Sequence, residues 1–319
     1  MRAIVIDSLG GAPRLEPAAV SPEPGPGELL LRVGACGLNF ADLLMIEGKY
    51  QEKQTPPFSP GMEVAGEVLA LGPETSGWRV GQRVAAFAGR GGLAERAVVP
   101  VARCVALPEG MDFVTGAAFQ VAYGTSHLGL ETARLAAGET LLVLGAAGGV
   151  GLTAVEVGRL MGARVIAVAR GAEKLAVAEA AGAQHLIDSD TADLRAEVKA
   201  LGGADVVYDP VGGKAFMEAL RATRPGGRIL VIGFAGGEVQ QIPANLLLVK
   251  NIQTIGFYWG GHLGFAPDRL TASLDRLIGW FAEGRLKPHV SHVLPLERAG
   301  EGLELLRARK STGKVVVTP

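Results

Sequence analysis

The most constraining feature of this 319-residue sequence is an apolar run that leads directly into a glycine-rich turn and then a helix. Thr140–Leu144 is followed by Gly145-Ala146-Ala147-Gly148-Gly149-Val150-Gly151 and by an apolar segment of helical length. Glycine lets the backbone approach a bound group closely, and the free N–H groups at a helix start attract an anion. The order strand, turn, helix therefore predicts a site for a dinucleotide pyrophosphate, lined by Gly148, Gly149, Val150 and Gly151.

Beyond Thr125, strand-length apolar runs alternate with helix-length segments, as a parallel sheet with crossover helices requires. The predicted strands are Thr140–Leu144, Arg164–Ala169, His185–Asp188, Asp205–Asp209, Arg228–Phe234 and Ile252–Phe257. The predicted helices between them are Gly151–Met161, Glu173–Ala181, Ala192–Leu201 and Lys214–Thr223. Six strands in this alternation predict an α/β fold with a doubly wound, nucleotide-binding sheet.

The first part of the chain has a different pattern, in which short β-branched runs are separated by Pro and Gly clusters. Its predicted strands are Ala3–Ile6, Leu29–Val33, Glu63–Ala70, Arg83–Phe87 and Ala94–Val99, with one short helix around Phe40–Glu47. We therefore predict a β-rich domain over residues 1–121 and a nucleotide-binding domain over residues 122–258. Residues 259–319 are expected to return to the first domain.

Charge and cysteine content restrict the partners of the chain. Lys and Arg total 31 against 32 Asp and Glu, so no overall field favours nucleic acid or an anionic membrane. The two cysteines, Cys36 and Cys104, lack the spacing of a redox pair or a zinc knuckle. No secretion signal or bilayer-spanning run is visible in the sequence. We expect a cytoplasmic protein whose partner is a small molecule.

The end of the second predicted strand indicates which dinucleotide binds. An acidic residue stands there in NAD-binding folds, whereas this chain has Arg170 after Ala169, with Lys174 one helical turn later. The planar guanidinium of Arg170 suits a 2′-phosphate, and Lys174 adds a second cation. These two residues predict NADP(H) as the cofactor. The alternative is that both are solvated surface charges.

The segments Ala35–Asp42 and Pro60–Gly66, followed in order by the glycine turn, resemble motifs of the medium-chain dehydrogenase/reductase superfamily. The resemblance covers nearly the whole chain. In its zinc alcohol dehydrogenases, a cysteine ligand stands where this chain has Asn39, and a histidine stands where it has Met62. Zinc prefers thiolate and imidazole ligands. The resemblance therefore implies a site with no metal.

Within the superfamily, the zinc-free quinone oxidoreductase group resembles this chain most. The segments that carry the resemblance are Gly37–Asp42, Gly48–Tyr50, Gly145–Gly151, Tyr208–Gly213, Pro243–Leu246 and Thr312–Val315. The resemblance implies a β-rich GroES-like domain joined to a Rossmann domain, a homodimer, and NADPH as hydride donor.

The same resemblance implies roles for individual residues. Asn39, Asp42 and Tyr50 would line the substrate side, with Asn39 or Tyr50 donating to the acceptor oxygen and Asp42 orienting them. The residues implied near the cofactor are Thr125, Arg170, Lys174, Ser189, Val211, Phe234, Asn245 and Arg309. Alternatively, Asn39 and Asp42 only cap the helix near Phe40, and Tyr50 is a packed aromatic residue.

The leading hypothesis is NADPH-dependent reduction of a quinone by hydride transfer without a metal. A second hypothesis, within the same chemistry, is reduction of the conjugated double bond of an enone or an enoyl thioester. A third is a protein that binds NADPH without catalysis, because a fold does not guarantee a reaction. A zinc alcohol dehydrogenase with displaced ligands is a fourth.

Overall fold

The computed structural model describes all 319 residues, which divide into two compact units. The first unit comprises Met1–Val121 and Pro288–Pro319, and the second comprises Ala122–Lys287. The return to the first unit thus begins at Pro288 and not at the predicted residue 259. The helix over Pro267–Ala282 keeps the intervening segment in the second unit, where it buries three leucines along one face.

The first 121 residues are mainly short strands. Their strands are β1 (Ala3–Val5), β2 (Arg14–Glu16), β3 (Glu28–Leu38), β4 (Glu63–Leu71), β5 (Arg83–Phe87), β6 (Arg96–Pro100) and β7 (Cys104–Ala106). Their α-helices are α1 (Phe40–Ile46) and α2 (Phe113–Ala117), and a 3-10 turn covers Val101–Arg103. β1 and β2 form a separate antiparallel pair, whereas the others belong to one larger sheet. Helix α2 was not predicted.

The second unit is built around a parallel sheet. Its strands are β8 (Thr140–Leu144), β9 (Arg164–Ala169), β10 (His185–Asp188), β11 (Ala204–Asp209), β12 (Thr223–Val231) and β13 (Gln253–Gly256). Helix α3 (Gln120–Thr132) leads into the unit and was not predicted. The other helices are α4 (Gly149–Leu160), α5 (Gly171–Ala180), α6 (Leu194–Ala200), α7 (Gly213–Ala222), α8 (Ala244–Lys250), α9 (His262–Phe265) and α10 (Pro267–Ala282).

The six parallel strands follow the order β10-β9-β8-β11-β12-β13, which confirms the predicted doubly wound sheet. β8 is buried along its whole length, as expected for a strand with helices on both faces. The core cluster contains Leu142, Leu144, Ile166 and Val168 from the strands and Phe216 from a crossover helix. The carboxyl ends of all six strands lie at one edge, where the glycine turn begins.

The last 32 residues complete the sheet of the first unit. They form β14 (Val290–Pro295), a 3-10 turn over Leu296–Arg298, α11 (Ala299–Arg307) and β15 (Lys314–Thr318). The main path through this seven-stranded sheet is β14-β15-β3-β4-β5-β7, and β6 also pairs with β3. No helix of either unit combines the length and apolar character needed to cross a bilayer.

Candidate functional site

The glycine turn connects β8 to α4 at the carboxyl edge of the parallel sheet. Gly145 has φ of 59°, a left-handed conformation that favours glycine, and Gly148 is the residue before the first turn of α4. A Cβ on Gly151 would lie 2.2 Å from the Gly145 carbonyl oxygen, so a larger residue would push the helix away. Ala146 replaces the usual first glycine, and its N–H donates to the Val168 carbonyl at 2.9 Å. The turn therefore fits a pyrophosphate, with the unbonded N–H groups of the helix start facing it.

A group of hydroxyl side chains fixes the first turn of α4. The Val150 carbonyl accepts hydrogen bonds from Ser126 at 3.0 Å and from Thr153 at 3.1 Å. Ser126 also contacts Thr153 at 2.8 Å and the Tyr208 hydroxyl at 3.2 Å, and all three groups are buried. These residues hold Gly149 and Val150 where a phosphate would contact them. Sequence reasoning missed them because the hydroxyls come from separate elements.

Arg170 lies at the predicted 2′-phosphate position, immediately before α5. Its Nε is 3.1 Å from the Asp190 carboxylate, and both side chains are more than half exposed, at 60% and 53%. Lys174 follows in α5, and exposed Ser189 follows β10 at the same edge of the sheet. An exposed ion pair is worth about 0–1 kcal/mol. Asp190 therefore competes only weakly for Arg170.

Asp188 is a further acid at this edge that sequence reasoning missed. Its Oδ1 accepts the N–H groups of Gly171 at 3.1 Å and Asp190 at 3.0 Å. These bonds lower the pKa of Asp188, so the carboxylate remains ionised while it fixes the start of α5. The sequence argument looked for an acid at the end of the second strand of this unit, whereas Asp188 ends the third strand, β10.

The other predicted cofactor residues are spread over several elements. Thr125 is buried in α3, Phe234 is 38% exposed in the loop after β12, and Asn245 is exposed in α8. Val211 follows β11 and packs beside the glycine turn. Arg309 belongs to the first unit, whereas all the others belong to the second.

Asp209 fixes the backbone of the loop that contains Val211. The sequence placed Asp209 within the segment Tyr208–Gly213 but indicated no role for it. Asp209 Oδ1 accepts the N–H groups of Val211 at 2.8 Å and Gly212 at 2.9 Å. Its other carboxylate oxygen is buried without a partner, and burial raises the pKa of Asp209. The residue therefore shapes the loop next to the glycine turn.

In the first unit, a buried polar cluster joins Asn39, Glu63 and Lys314. The Lys314 ammonium donates to Asn39 Oδ1 at 2.8 Å, to the Leu38 carbonyl at 2.9 Å and to Glu63 at 2.5 Å. Asn39 Nδ2 donates to the same Glu63 oxygen at 3.0 Å and to the Gly37 carbonyl at 3.3 Å. Each of the three ammonium hydrogens has an acceptor, so the charge is buried in a satisfied network.

Strand pairing brings these three residues together. β15 lies antiparallel to the carboxyl end of β3, so Lys314 at its start stands beside Asn39, which follows β3. β4 pairs with the other edge of β3 and begins at Glu63, opposite Gly37. A Cβ on Gly37 would lie 2.9 Å from a Glu63 oxygen and 2.0 Å from the Ala117 carbonyl. Only glycine at this position leaves room for the cluster.

Asp42 is fully buried in the first turn of α1. Its carboxylate accepts the N–H of Asn39 at 2.8 Å and the N–H of Gly61 at 3.1 Å. Burial raises the pKa of Asp42 to about 7, although both N–H donors and Lys314 act in the opposite direction. The sequence left open whether Asp42 caps α1 or orients Asn39. The single hydrogen bond from the Asn39 N–H to the Asp42 carboxylate serves both purposes.

Tyr50 lies in the turn after α1, where Gly48 has φ of 68°. Its N–H donates to the Leu44 carbonyl at 3.0 Å, and only 7% of the residue is exposed. The seven residues of α1 span about 10 Å. The structure thus places Tyr50 and Asn39 at opposite ends of this helix.

The positions that hold zinc ligands in the alcohol dehydrogenases carry an unsuitable set of donors. The Asn39 side chain is hydrogen-bonded through both its amide oxygen and its amide nitrogen. Met62 is a buried thioether. Among all 319 residues, no three His, Cys, Asp or Glu side chains form a group that could hold a metal ion. The Glu63 carboxylate is already paired with the Lys314 ammonium.

The two cysteines offer no nucleophile. Burial raises the pKa of the Cys36 thiol well above its ordinary value, and nearby Asp42 and Glu63 add to the effect. Burial raises the pKa of Cys104 to about 12. Both thiols therefore remain protonated at neutral pH.

Both units match known protein families. Residues 25–109 match the alcohol dehydrogenase GroES-like domain, and residues 149–278 match the zinc-binding dehydrogenase family. The second description names a metal whose usual ligands are replaced here by Asn39 and Met62. These matches confirm the predicted pairing of a GroES-like domain with a Rossmann-type domain.

Similar proteins cover nearly the whole chain. A quinone oxidoreductase-like protein 2 homolog from Nematostella vectensis is 39% identical over 99% of this chain and 88% of its own length. The human synaptic vesicle membrane protein VAT-1 homolog is 32% identical over all of this chain and 86% of its own length. The quinone oxidoreductase of Thermus thermophilus, whose crystal structures include a complex with NADPH, is 38% identical with a TM-score of 0.90, and each chain is fully covered. The chain belongs to the quinone oxidoreductase group of the medium-chain dehydrogenase/reductase superfamily.

Proposed function

We propose that the chain is an NADPH-dependent oxidoreductase that reduces a quinone without a bound metal. The observation that carries the proposal is the buried cluster of Asn39, Glu63 and Lys314, in which an ammonium stands beside the Glu63 carboxylate in place of a metal ligand set. The similar proteins named as quinone oxidoreductases, one of them crystallised with NADPH, support the choice of acceptor and cofactor.

The second unit supplies the groups that would hold NADPH. The N–H groups of Gly149, Val150 and Gly151 would face the pyrophosphate at the start of α4. The N–H of Gly148 donates to the Gly145 carbonyl at 3.0 Å, so Gly148 would line the site by its lack of a side chain. Arg170 and Lys174 would face the 2′-phosphate, with Ser189 beside them. Thr125, Val211, Phe234 and Asn245 complete the proposed set within the second unit, and a role for Arg309 is proposed on the family resemblance alone. When bound, NADPH supplies the hydride that reduces the acceptor.

Asn39 is the group that we propose to polarise the acceptor oxygen. Its Oδ1 accepts from the Lys314 ammonium, which draws electron density from the amide and strengthens the Nδ2 hydrogens as donors. One of these hydrogens has only a long bond, 3.3 Å, to the Gly37 carbonyl. With the amide held in place, that hydrogen can be shared between the Gly37 carbonyl and a quinone oxygen as negative charge develops there. Asp42 keeps the backbone of Asn39 in place for this step.

The placement of Tyr50 changes its part in the proposal. It is packed at the far end of α1, so we propose it as a wall of the substrate side and assign the donation to Asn39. A cytoplasmic location and a homodimeric assembly remain predictions from the sequence and from the family resemblance.

The test is NADPH oxidation by the purified protein with 1,4-benzoquinone, 1,4-naphthoquinone and methyl vinyl ketone. We expect turnover of a quinone at a kcat/KM at least about tenfold above that of the enone. An Asn39→Ala variant should lose about 100-fold or more in kcat, as for removal of one oxyanion donor. Preferential turnover of the enone would favour a double-bond reductase. Tight NADPH binding with no turnover of any acceptor would favour a protein that only binds the nucleotide.

A further inference from the structure

The second unit contains a basic cavity away from the glycine turn. It has a volume of about 480 Å³ and lies where α6 and α7 end and β11 and β12 begin. Its lining includes the five cations Arg195, Lys199, Arg221, Arg224 and Lys250. No acidic side chain is part of the lining. Such a concentration of positive charge is unexpected in a chain whose formal net charge is only −1.

Two of the cations have structural roles. Arg224 donates to both Asp205 oxygens at 2.9 Å and to the Gly202 carbonyl. The Lys250 ammonium donates to the Leu220 carbonyl at 3.1 Å and to a neighbouring carbonyl at the end of α7. These contacts account for Arg224 and Lys250 without any ligand.

The other three cations have no such explanation. The exposed side chains of Arg195, Lys199 and Arg221 make no ion pair or hydrogen bond. The carboxyl end of a helix carries about half a negative charge. The two carboxyl ends of α6 and α7 therefore contribute about −1 in total. With the single carboxylate of Asp205, five cations still leave a local charge of about +3. Burial lowers the pKa of Lys250, and the nearby charges of Lys199 and Arg195 act in the same direction.

The cavity is separate from the proposed cofactor site. The glycine turn is at the carboxyl edge of the parallel sheet, whereas the cavity is at the amino ends of β11 and β12. The six residues of β11 span about 20 Å between these two edges. A group bound in the cavity therefore cannot be part of the dinucleotide held at the glycine turn.

We propose that this cavity binds a small anion that carries two or more phosphoryl groups. Three unpaired cations around one concave surface suit several phosphate oxygens at once, because arginine and lysine both bind phosphate strongly. The volume lies in the range of small-molecule sites. Leu246 and Pro225 add an apolar wall on which a base or another ring can pack. The site does not depend on the proposed reductase function.

The test is titration calorimetry of the full chain with inorganic tripolyphosphate and, separately, with ATP, at low salt and without Mg²⁺. The triple variant Arg195→Gln/Lys199→Gln/Arg221→Gln removes the unpaired cations and leaves Arg224 and Lys250 in place. The matched control, Arg79→Gln/Arg269→Gln/Lys310→Gln, removes three exposed cations elsewhere. Because all six side chains are exposed, both variants should keep the melting temperature of the wild-type protein.

We expect both probes to bind the wild-type and control proteins, and the triple cavity variant to bind about 10- to 100-fold more weakly. Equal affinity for the two probes would identify the phosphoryl groups as the whole ligand. A tighter complex with ATP would show that its base packs on Leu246 and Pro225. Absence of binding by the wild-type protein, or equal loss in both triple variants, would overturn the proposal.

Discussion

Replacing Lys314 by methionine removes the ammonium from the buried cluster while keeping most of the side-chain volume. Glu63 is 1% exposed and Lys314 is 4% exposed, so water does not readily replace the lost charge. Removing one partner of a buried ion pair costs about 3–5 kcal/mol. Glu63 keeps the hydrogen bonds from Asn39 and from the Val121 N–H, so we expect the lower end, about 3 kcal/mol.

Thermal and urea unfolding of Lys314→Met measure this loss, with exposed Lys310→Met as the matched control. For 319 residues, about 3 kcal/mol corresponds to a melting temperature lower by roughly 4–5 °C, at about 2.1 cal/mol/K of unfolding entropy per residue. The double variant Glu63→Gln/Lys314→Met removes both charges and should recover at least about 1 kcal/mol of the loss. In the quinone assay, Lys314→Met should reduce kcat more than it raises the KM for NADPH, because the Asn39 amide is no longer polarised.

The reasoning is refuted if Lys314→Met lowers the free energy of unfolding by less than about 1 kcal/mol, as an exposed pair would. It is also refuted if the double variant is less stable than Lys314→Met, because Glu63 would then not be the group left without a counter-charge. A change of similar size in the Lys310→Met control would show that the effect is not specific to the cluster.

Three further predictions concern the cofactor site and the start of α1. Arg170→Ala/Lys174→Ala should raise the KM for NADPH about 10- to 100-fold and leave that for NADH nearly unchanged, since two phosphate contacts are lost; equal loss with both cofactors would count against NADP specificity. The pKa of Asp42 is raised from 3.8 to about 7, so the folded state keeps a proton that the unfolded state loses between these pH values. Relative to Asp42→Asn, wild-type stability should therefore fall by up to about 4 kcal/mol as pH rises from about 4 to about 7; a flat difference in urea unfolding would contradict this. Gly151→Ala should abolish NADPH binding in a fluorescence titration, because its Cβ would lie 2.2 Å from the Gly145 carbonyl; binding at wild-type affinity would be incompatible with the described turn.

The parallel sheet could be predicted because its central strands β8, β9 and β11 contain continuous apolar runs between polar or glycine-rich segments. The bounds of β8, β9 and β10 are those predicted, and β8 and β9 are apolar runs with clear polar or glycine boundaries. β12 begins at Thr223 and ends at Val231, whereas we predicted 228–234. The segment Pro225-Gly226-Gly227 has the composition of a turn, yet it lies within this strand as an irregular start.

Helices α2 and α3 were missed for a related reason. Gly116, Gly124 and Gly129 lie within them and weaken the helical signal of the sequence. In the structure, two of these glycines allow close packing: a Cβ on Gly116 would lie 2.7 Å from the Leu107 side chain, and a Cβ on Gly124 would lie 2.5 Å from the Trp259 ring nitrogen. A tertiary requirement of this kind leaves no periodic pattern in the sequence.

The candidate site was only partly predictable. Asn39 and Asp42 were found through the motif that they share, and the glycine turn through its local order. Lys314 is 251 residues from Glu63, and no spacing rule connects residues so far apart. The pairing of β15 with β3 brings them together, and that pairing is visible only in the fold.

The central claim is tested most directly by the rate of NADPH oxidation with 1,4-benzoquinone after exhaustive treatment of the protein with a zinc chelator. We expect the untreated protein to contain less than about 0.1 equivalent of zinc and its kcat to be unchanged by chelation, because Asn39 and Met62 are poor zinc ligands and Glu63 is paired with Lys314. Stoichiometric zinc in the untreated protein, with loss of turnover on chelation and recovery when zinc is restored, would contradict the account.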